Sequence, residues 1–176
     1  MIASVKAGWG CMMIDVNNND IVAIAPSVDL IDYMSQQSMP SNSLFLKTLG
    51  KYGHELEDDY FNSLLPGAKR GQYLYNYGGV VNHLYANGGI STKFWSQGLI
   101  YLKTGGWKTY LCRATNRITT KLLGMFGAKV LKVINLTEPG MEGEFMELLR
   151  LDLDTLTYDT LTKFLDEKDP NVDELQ

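Results

Sequence analysis

From residue 71 onward the chain alternates between strand-like and helix-like segments, and this alternation limits its possible folds more than any other feature. Strands show alternating residue types, whereas helices repeat apolar residues every third or fourth position. The predicted order is strand, helix, strand, helix, strand and strand, over residues 71–82, 91–104, 107–114, 116–127, 128–136 and 142–153. Because strand–helix–strand units place their strands in parallel, we expect a partly parallel sheet with crossover helices.

Two more strands are predicted near the N-terminus, over residues 8–16 and 21–27. Between them, the residues from Asn17 to Asp20 tolerate a left-handed backbone, which favours a hairpin. The hairpin and the closing pair of strands add antiparallel edges to the sheet. The predicted fold class is therefore α/β in the broad sense (α+β), with a mixed, mostly antiparallel central sheet and a strand–helix–strand–helix crossover region.

The segment over residues 33–70 interrupts this pattern. Its first part is rich in serine, proline and asparagine over 35–43, which predicts a loop. A short helix is predicted over 44–49, and a second over 55–65 that ends at Pro66-Gly67. We therefore treat this segment as an irregular insertion.

The length of 176 residues suits one domain. We predict a domain over residues 1–153, followed by an acidic C-terminal helix and tail over 154–176. The net charge is −4, but residues 152–176 hold eight acidic residues and two lysines, so residues 1–151 carry +2. This balance does not indicate a nucleic-acid-binding surface, and an anionic ligand is expected within the first 151 residues.

The two cysteines, Cys11 and Cys112, are too few for a secreted disulfide framework. No apolar run approaches the roughly 18 residues of a membrane span, and the N-terminus makes a poor signal peptide. We expect free thiols and an intracellular, cytoplasmic location in a reducing compartment.

Polar residues mark the starts of the two crossover helices. Ser91 is expected to cap the first helix and Asn116 the second. The spacing in the second helix predicts an inward face formed by Ile118, Leu122 and Met125.

A glycine pair joins the strand over 71–82 to the helix over 91–104, in the segment Tyr85-Ala86-Asn87-Gly88-Gly89-Ile90-Ser91. Glycines let backbone N–H groups turn toward one point, and the helix start adds free N–H groups and a positive dipole end. Together they can bind a phosphate or pyrophosphate. The alternative interpretation is a tight turn without a ligand.

The run over residues 71–151 resembles the second half of the GNAT superfamily of N-acetyltransferases. That family has a pyrophosphate loop of the form Q/R-x-x-G-x-G/A between a strand and a helix. Here Gly89 matches the central glycine, Ser91 is another small residue at the last position, and Ala86 replaces the usual Gln or Arg. The stretch over 116–128 resembles the family's Asn-started helix that ends in Gly-Phe.

The resemblance implies acetyl-CoA, or another acyl-CoA, as donor and an amine on a small molecule or peptide as acceptor. It implies that the pyrophosphate lies on the N–H groups of residues 87–91, namely Asn87, Gly88, Gly89, Ile90 and Ser91. Backbone groups of Val80 and Val81 would hold the thioester. Asn116 would cap its helix and reach toward the pantetheine arm.

Several positions depart from the family pattern. The family often has a tyrosine as general acid where this chain has Leu123, and no Asp or Glu lies between Asp59 and Glu138. His83 is the candidate general base, because imidazole accepts a proton near neutral pH. A histidine in a partly exposed loop is the alternative interpretation.

The family's usual first strand and two helices are not evident in the sequence. Residues 33–70 replace them, another protein chain supplies them, or the protein is no longer an enzyme. The leading hypothesis is an acyl-CoA-dependent N-acyltransferase. The alternatives are a catalytically inactive GNAT-like subunit with a scaffolding role in a larger assembly, and a protein that binds another phosphate ligand.

Two other patterns allow more than one interpretation. His54 and Asp58 have the i, i+4 spacing of metal ligands, but a metal would need further ligands, so a solvated acidic helix start explains them better and no metal site is predicted. Tyr73, Tyr75 and Tyr77 share one strand face, where they would line an acceptor pocket or pack a half-buried sheet.

Overall fold

A computed structural model of the chain describes residues 9–35, 44–85 and 89–166. The loop predicted over 35–43 therefore falls almost entirely outside the described residues. The strands are β1 (Cys11–Ile14), β2 (Ile21–Ala25), β3 (Ser27–Asp29), β4 (Tyr73–Asn76), β5 (Val80–Val81), β6 (Thr109–Ala114), β7 (Lys129–Asn135) and β8 (Phe145–Asp152). The helices are α1 (Leu30–Ser35), α2 (Leu44–Leu64), α3 (Ile90–Thr104), α4 (Arg117–Met125) and α5 (Tyr158–Asp166).

The strands form two adjoining sheets. One has five strands in the order β3-β4-β6-β8-β7, and the other has three in the order β1-β2-β5. Among the described strands, β4 and β6 are the one pair that runs parallel, and α3 forms the crossover between them. All other pairs are antiparallel, so the predicted mixed, mostly antiparallel sheet is confirmed.

The predicted N-terminal hairpin is present. Strands β1 and β2 pair in antiparallel register, and the Asp15 N–H donates to the Asp20 carbonyl at 2.9 Å. Asn19 takes the left-handed conformation that the turn requires, with φ of 62°. The Tyr85 hydroxyl donates to the Asp15 carboxylate at 3.1 Å, which connects the hairpin to the segment that precedes α3.

Helices cover both faces of the five-stranded sheet. On one face, α3, α4 and α5 enclose a core that includes Leu74, Leu99, Tyr110, Cys112, Leu122, Leu123, Phe126, Leu149 and Leu161. On the other face, α1 and α2 enclose Val28, Leu56, Phe61, Tyr75, Leu111, Met146 and Leu148. We call these the α3 face and the α2 face. Segment 33–70 therefore contributes helical cover to the sheet.

The prediction of two short helices within 44–65 was wrong, because α2 is one helix of 21 residues. Its interior contains Gly50 and Gly53, each of which disfavours a helix by about 1 kcal/mol relative to alanine. Burial of Tyr52, Leu56 and Phe61 against the sheet outweighs this, since a buried side chain of this size contributes about 1.5–3 kcal/mol. Tertiary packing thus overrides the local helix-ending preference.

Two details of the crossover helices also differ from prediction. Gly89, not Ser91, is the N-cap of α3, and Ser91 lies within the first turn. In α4, Ile118 is 75% exposed and Met125 is 48% exposed, whereas Leu122 and Leu123 are buried. The helix is rotated so that Leu123 faces the core.

The acidic C-terminal segment forms the predicted helix. In α5, Leu161 is fully buried and the Phe164 ring packs edge-on against Phe126, 5.0 Å between centroids. Among the described residues, no helix has both the length and the apolar character needed to cross a bilayer.

Candidate functional site

A break runs through two neighbouring strands at the same level of the sheet. Ser27 pairs with Asn76 below the break, and Ile24 pairs with Val80 above it. Two residues on one strand therefore oppose three residues, 77–79, on the other, which is the geometry of a β-bulge. The pair Gly78-Gly79 lies in this bulge, and proline at 26 cannot donate to the ladder.

The break opens a gap in the sheet. Strands β4 and β6 are paired as far as Asn76 and Cys112, after which β5 pairs with β2 instead. The space between β5 and the end of β6 is a cleft of about 350 Å³. It is lined by residues 76–81, Ser91, Phe94, Trp95, residues 112–116, Ile118, Thr119, Leu122 and Met146.

The backbone of β5 forms one edge of this cleft. The Asn82 N–H donates to the Val22 carbonyl at 2.8 Å. Since neighbouring residues of a strand present their amide groups to opposite sides, the amide of Val81 faces the cleft. In the part of the chain that the structure describes, no strand pairs with this edge of β5. The gap can therefore accept an extended chain that carries amide groups.

The N-terminus of α3 opens on the same cleft. Gly89 caps the helix with φ of 70°, which a residue with a Cβ adopts only under strain. Gly89 itself has no side chain that could accept a hydrogen bond from the first-turn N–H groups, and Ser91 lines the cleft. Four N–H groups at a helix start lack intrahelical partners, and the dipole favours an anion there. The predicted residues Asn87 and Gly88 lie outside the described residues.

Asn116 lies on the opposite wall. Its Oδ1 accepts the Thr119 N–H at 2.8 Å, so the predicted cap of α4 is confirmed. Its exposed side chain also lines the cleft, which leaves the amide Nδ2 near the space between β5 and β6.

A buried polar cluster lies beside the cleft on the α2 face. The Glu57 carboxylate, 1% exposed, accepts hydrogen bonds from the hydroxyls of Tyr33, at 2.9 Å, and Tyr75. Arg113 Nη1 lies 3.4 Å from Glu57 Oε1, and Arg113 Nη2 donates to the Tyr77 carbonyl at 3.2 Å. Burial raises the pKa of the Glu57 carboxyl, and the Arg113 charge and the two hydroxyls oppose this shift.

Sequence reasoning did not find the Glu57 cluster. The residues come from α1, α2, β4 and β6, and only the folded sheet brings them together. Of the three tyrosines predicted to share a strand face, Tyr75 belongs to this cluster and Tyr77 lines the cleft. Tyr73 packs against the core of the α2 face.

Other candidate residues lie elsewhere. His83 is exposed, in the short 3-10 turn His83–Tyr85, and is not among the residues lining the cleft. Leu123 is fully buried. Cys112 is buried, and loss of solvent raises the pKa of its thiol to about 12, in keeping with the inert role expected of a core cysteine.

The metal-like pair predicted on α2 is also visible. His54 Nδ1 lies 3.4 Å from Asp58 Oδ1, and both side chains are exposed. Among the described residues, no group of three or more His, Cys, Asp and Glu side chains could hold a metal ion.

No family model matches the sequence, and no curated protein matches it. Several solved structures have a fold similar to that of this chain. The C-terminal condensation domain of Ebony, in complex with beta-alanyl-dopamine, superposes with a TM-score of 0.69 at 12% identity, over 86% of this chain and 75% of that domain.

Two N-acetyltransferases from insects are similarly close. A mosquito arylalkylamine N-acetyltransferase-like protein, 5b, gives a TM-score of 0.68 at 13% identity, over 86% of this chain and 77% of its own. The Drosophila melanogaster polyamine N-acetyltransferase gives 0.64 at 10% identity, over 86% and 78%. These similarities show that the chain has the GNAT fold.

Proposed function

We propose that the protein is an acyl-CoA-dependent N-acyltransferase that transfers an acetyl group from acetyl-CoA to an amine. The supporting observation is the cleft between β5 and β6. On one side is an edge of β5 that no described strand pairs with, and at its end is the start of α3, where the N-cap Gly89 offers no side-chain acceptor. The mosquito and Drosophila structures of the same fold are N-acetyltransferases, which favours an amine acceptor.

The residues around the cleft fit such a donor. N–H groups of Gly89, Ile90 and Ser91, with the predicted contribution of Asn87 and Gly88, would bind the pyrophosphate at the start of α3. Val80 turns its amide group toward β2, so the backbone of Val81 alone of the two would hold the thioester from β5, and Asn116 Nδ2 would donate to the pantetheine arm. Acetyl-CoA would supply the acyl group as a thioester.

The reaction would involve three events at the thioester. The Val81 N–H, which faces the cleft, would donate to the carbonyl oxygen as negative charge develops there. The amine nitrogen would form a bond to the carbonyl carbon while the carbon–sulfur bond breaks. Since Leu123 cannot donate a proton, water would protonate the leaving sulfur.

His83 is the proposed base. Because its imidazole does not line the cleft, it would take the amine proton through a bridging water. General bases contribute roughly 10²–10⁴-fold to rate, and an exposed histidine acting through water belongs at the lower end of that range.

Calorimetric titration with acetyl-CoA tests the donor assignment. We expect binding below millimolar concentration, and at least about a tenfold loss of affinity, or about 1.4 kcal/mol, in Gly89→Glu. That variant places a Cβ on a left-handed residue and a carboxylate where phosphate would bind. Gly143→Glu is the matched control, because Gly143 also has a positive φ of 85° but lies in open space in the β7–β8 turn.

Two results would contradict the donor assignment: no detectable binding at millimolar acetyl-CoA, or equal affinity in Gly89→Glu and Gly143→Glu. Competition between coenzyme A and nucleotides would then identify a different phosphate ligand.

A second candidate function is a catalytically inactive subunit that joins other protein chains. The complete burial of Leu123 supports it, and so does the lack of a carboxylate among the described residues lining the cleft. Turnover by the purified chain with a panel of amines would exclude this candidate. Stable co-purification with other chains, without turnover, would favour it.

A further inference from the structure

Arg113 reaches the cleft from the face of the sheet opposite to the proposed pyrophosphate site. Cys112 and Ala114 belong to the core of the α3 face, and alternate residues of a strand point to opposite faces. Arg113 accordingly contacts Glu57 of α2. The start of α3 lies on the α3 face, so the donor would occupy that face. The acceptor would then enter from the α2 face, beside Arg113.

Arg113 is the one side chain lining the described cleft that carries a charge at neutral pH. Nearby walls are aromatic or aliphatic, including Tyr77, Trp95 and Met146. Glu57 offsets part of this charge, but it does not line the cleft, so Arg113 is the charged group that a ligand in the cleft would meet, and it favours an anion.

The Arg113 guanidinium is held in place by contacts that occupy only some of its N–H donors. Arg113 is 17% exposed, and its Nη1 and Nη2 are oriented by Glu57 and the Tyr77 carbonyl. A guanidinium has five N–H donors in a rigid fork that matches a carboxylate. In the described part of the chain these are its two polar partners, so donors remain for a ligand in the cleft.

We infer that the acceptor carries a carboxylate near its amine, and that Arg113 binds this carboxylate. The inference rests on the proposed acyl transfer for its chemistry. It makes Arg113 a specificity-determining residue, which selects amino acids and related acidic amines over neutral or doubly cationic amines.

Paired acceptors test the inference: glycine, β-alanine and L-phenylalanine, each against its own amide. Acceptor binding is measured by calorimetry with the protein alone and with coenzyme A present, and acetyl transfer is measured in parallel. We expect the intact protein to prefer each acid, and Arg113→Met to lose this preference at least about tenfold, the effect of one charge-assisted contact.

Glu57→Gln should change the preference for acid over amide acceptors in the direction opposite to Arg113→Met. It removes the charge that neutralises Arg113 but keeps the shape and acceptor oxygen of the side chain, so the preference for the acid should increase. A merely structural role for the pair predicts that both variants weaken all acceptors alike. The double variant Glu57→Gln/Arg113→Met removes both buried charges and keeps the test possible if Arg113→Met does not fold.

The inference is overturned if the intact protein prefers the amides, or if the acid-to-amide ratio is the same in Arg113→Met. If Arg113→Met loses affinity for coenzyme A as much as it loses the acid preference, Arg113 contacts the donor, and the inference is also overturned. Failure to bind coenzyme A, with the acid preference intact, would contradict the proposed donor alone.

Discussion

Gly53 on α2 and Arg113 on β6 approach so closely that a Cβ on Gly53 would overlap Arg113 Nη1. The glycine thus makes room for the guanidinium that pairs with Glu57, one helical turn further along. We expect Gly53→Ala to displace the end of the Arg113 side chain from Glu57, and the loss of this buried contact should lower the free energy of unfolding by about 1–3 kcal/mol. Urea unfolding measures this change.

Gly50 in the same helix is the matched control. A Cβ there meets nothing within 4 Å, so Gly50→Ala should raise the free energy of unfolding by up to about 1 kcal/mol through helix propensity alone. Stabilisation by both substitutions would show that Arg113 does not occupy the space beside Gly53.

Glu57 should make stability depend on pH. Because burial raises the pKa of its carboxyl in the fold, the folded state keeps the proton at pH values where the unfolded chain has lost it. The stability that this group contributes is full below the unfolded pKa, about 4.3, and is lost as pH rises toward the folded pKa.

Glutamine at position 57 cannot ionise, so Glu57→Gln does not lose this stability as pH rises. From about pH 4 upward, the unfolding free energy of the intact protein should fall relative to that of Glu57→Gln, as measured by urea denaturation at several pH values. Glu55→Gln, which changes an exposed carboxylate on the same helix, serves as control. A difference that stays constant with pH would contradict the raised pKa.

Asn116 has two roles that substitutions can separate. Asn116→Ala removes the cap of α4 and should cost about 1 kcal/mol of stability. Asn116→Asp keeps an oxygen for the Thr119 N–H but adds a negative charge to the cleft, so stability should be retained while coenzyme A affinity falls. Thermal unfolding and calorimetry measure the two effects, and equal behaviour of the two variants would argue against a role in the cleft.

The two histidines of the chain allow a controlled test of the proposed base. His83→Gln should lower kcat/KM for acetyl transfer about 10²-fold, because it removes the proposed base. His54→Gln, on an exposed turn of α2, should leave kcat/KM unchanged. If kcat/KM of His83→Gln matches that of the intact protein, water alone removes the amine proton.

Local patterns explain why much of the fold could be predicted. The turn at Asn17–Asp20 and the cap at Asn116 depend on a few neighbouring residues, and both are present. The order of elements after residue 71 follows from periodicity in the same way.

What sequence reasoning missed depends on contacts between distant residues. The continuity of α2 through Gly50 and Gly53 follows from burial of its apolar face, which no local rule describes. The rotation of α4, which buries Leu123 instead of Ile118, is set by the core it packs on. The pairing of Glu57 with Arg113 joins two charges that are 56 positions apart in the sequence.

The interruptions of the strands at Pro26 and Gly78-Gly79 keep the cleft open whether or not a ligand is bound. Since both are fixed by covalent structure and strand register, the slot between the two sheets exists before anything enters it. An extended ligand with amide groups would pair as an additional strand, and β5 and β6 would not have to separate to admit it. Hydrogen exchange at the Val81 amide should then slow sharply upon occupancy, while the amides of the hairpin scarcely change.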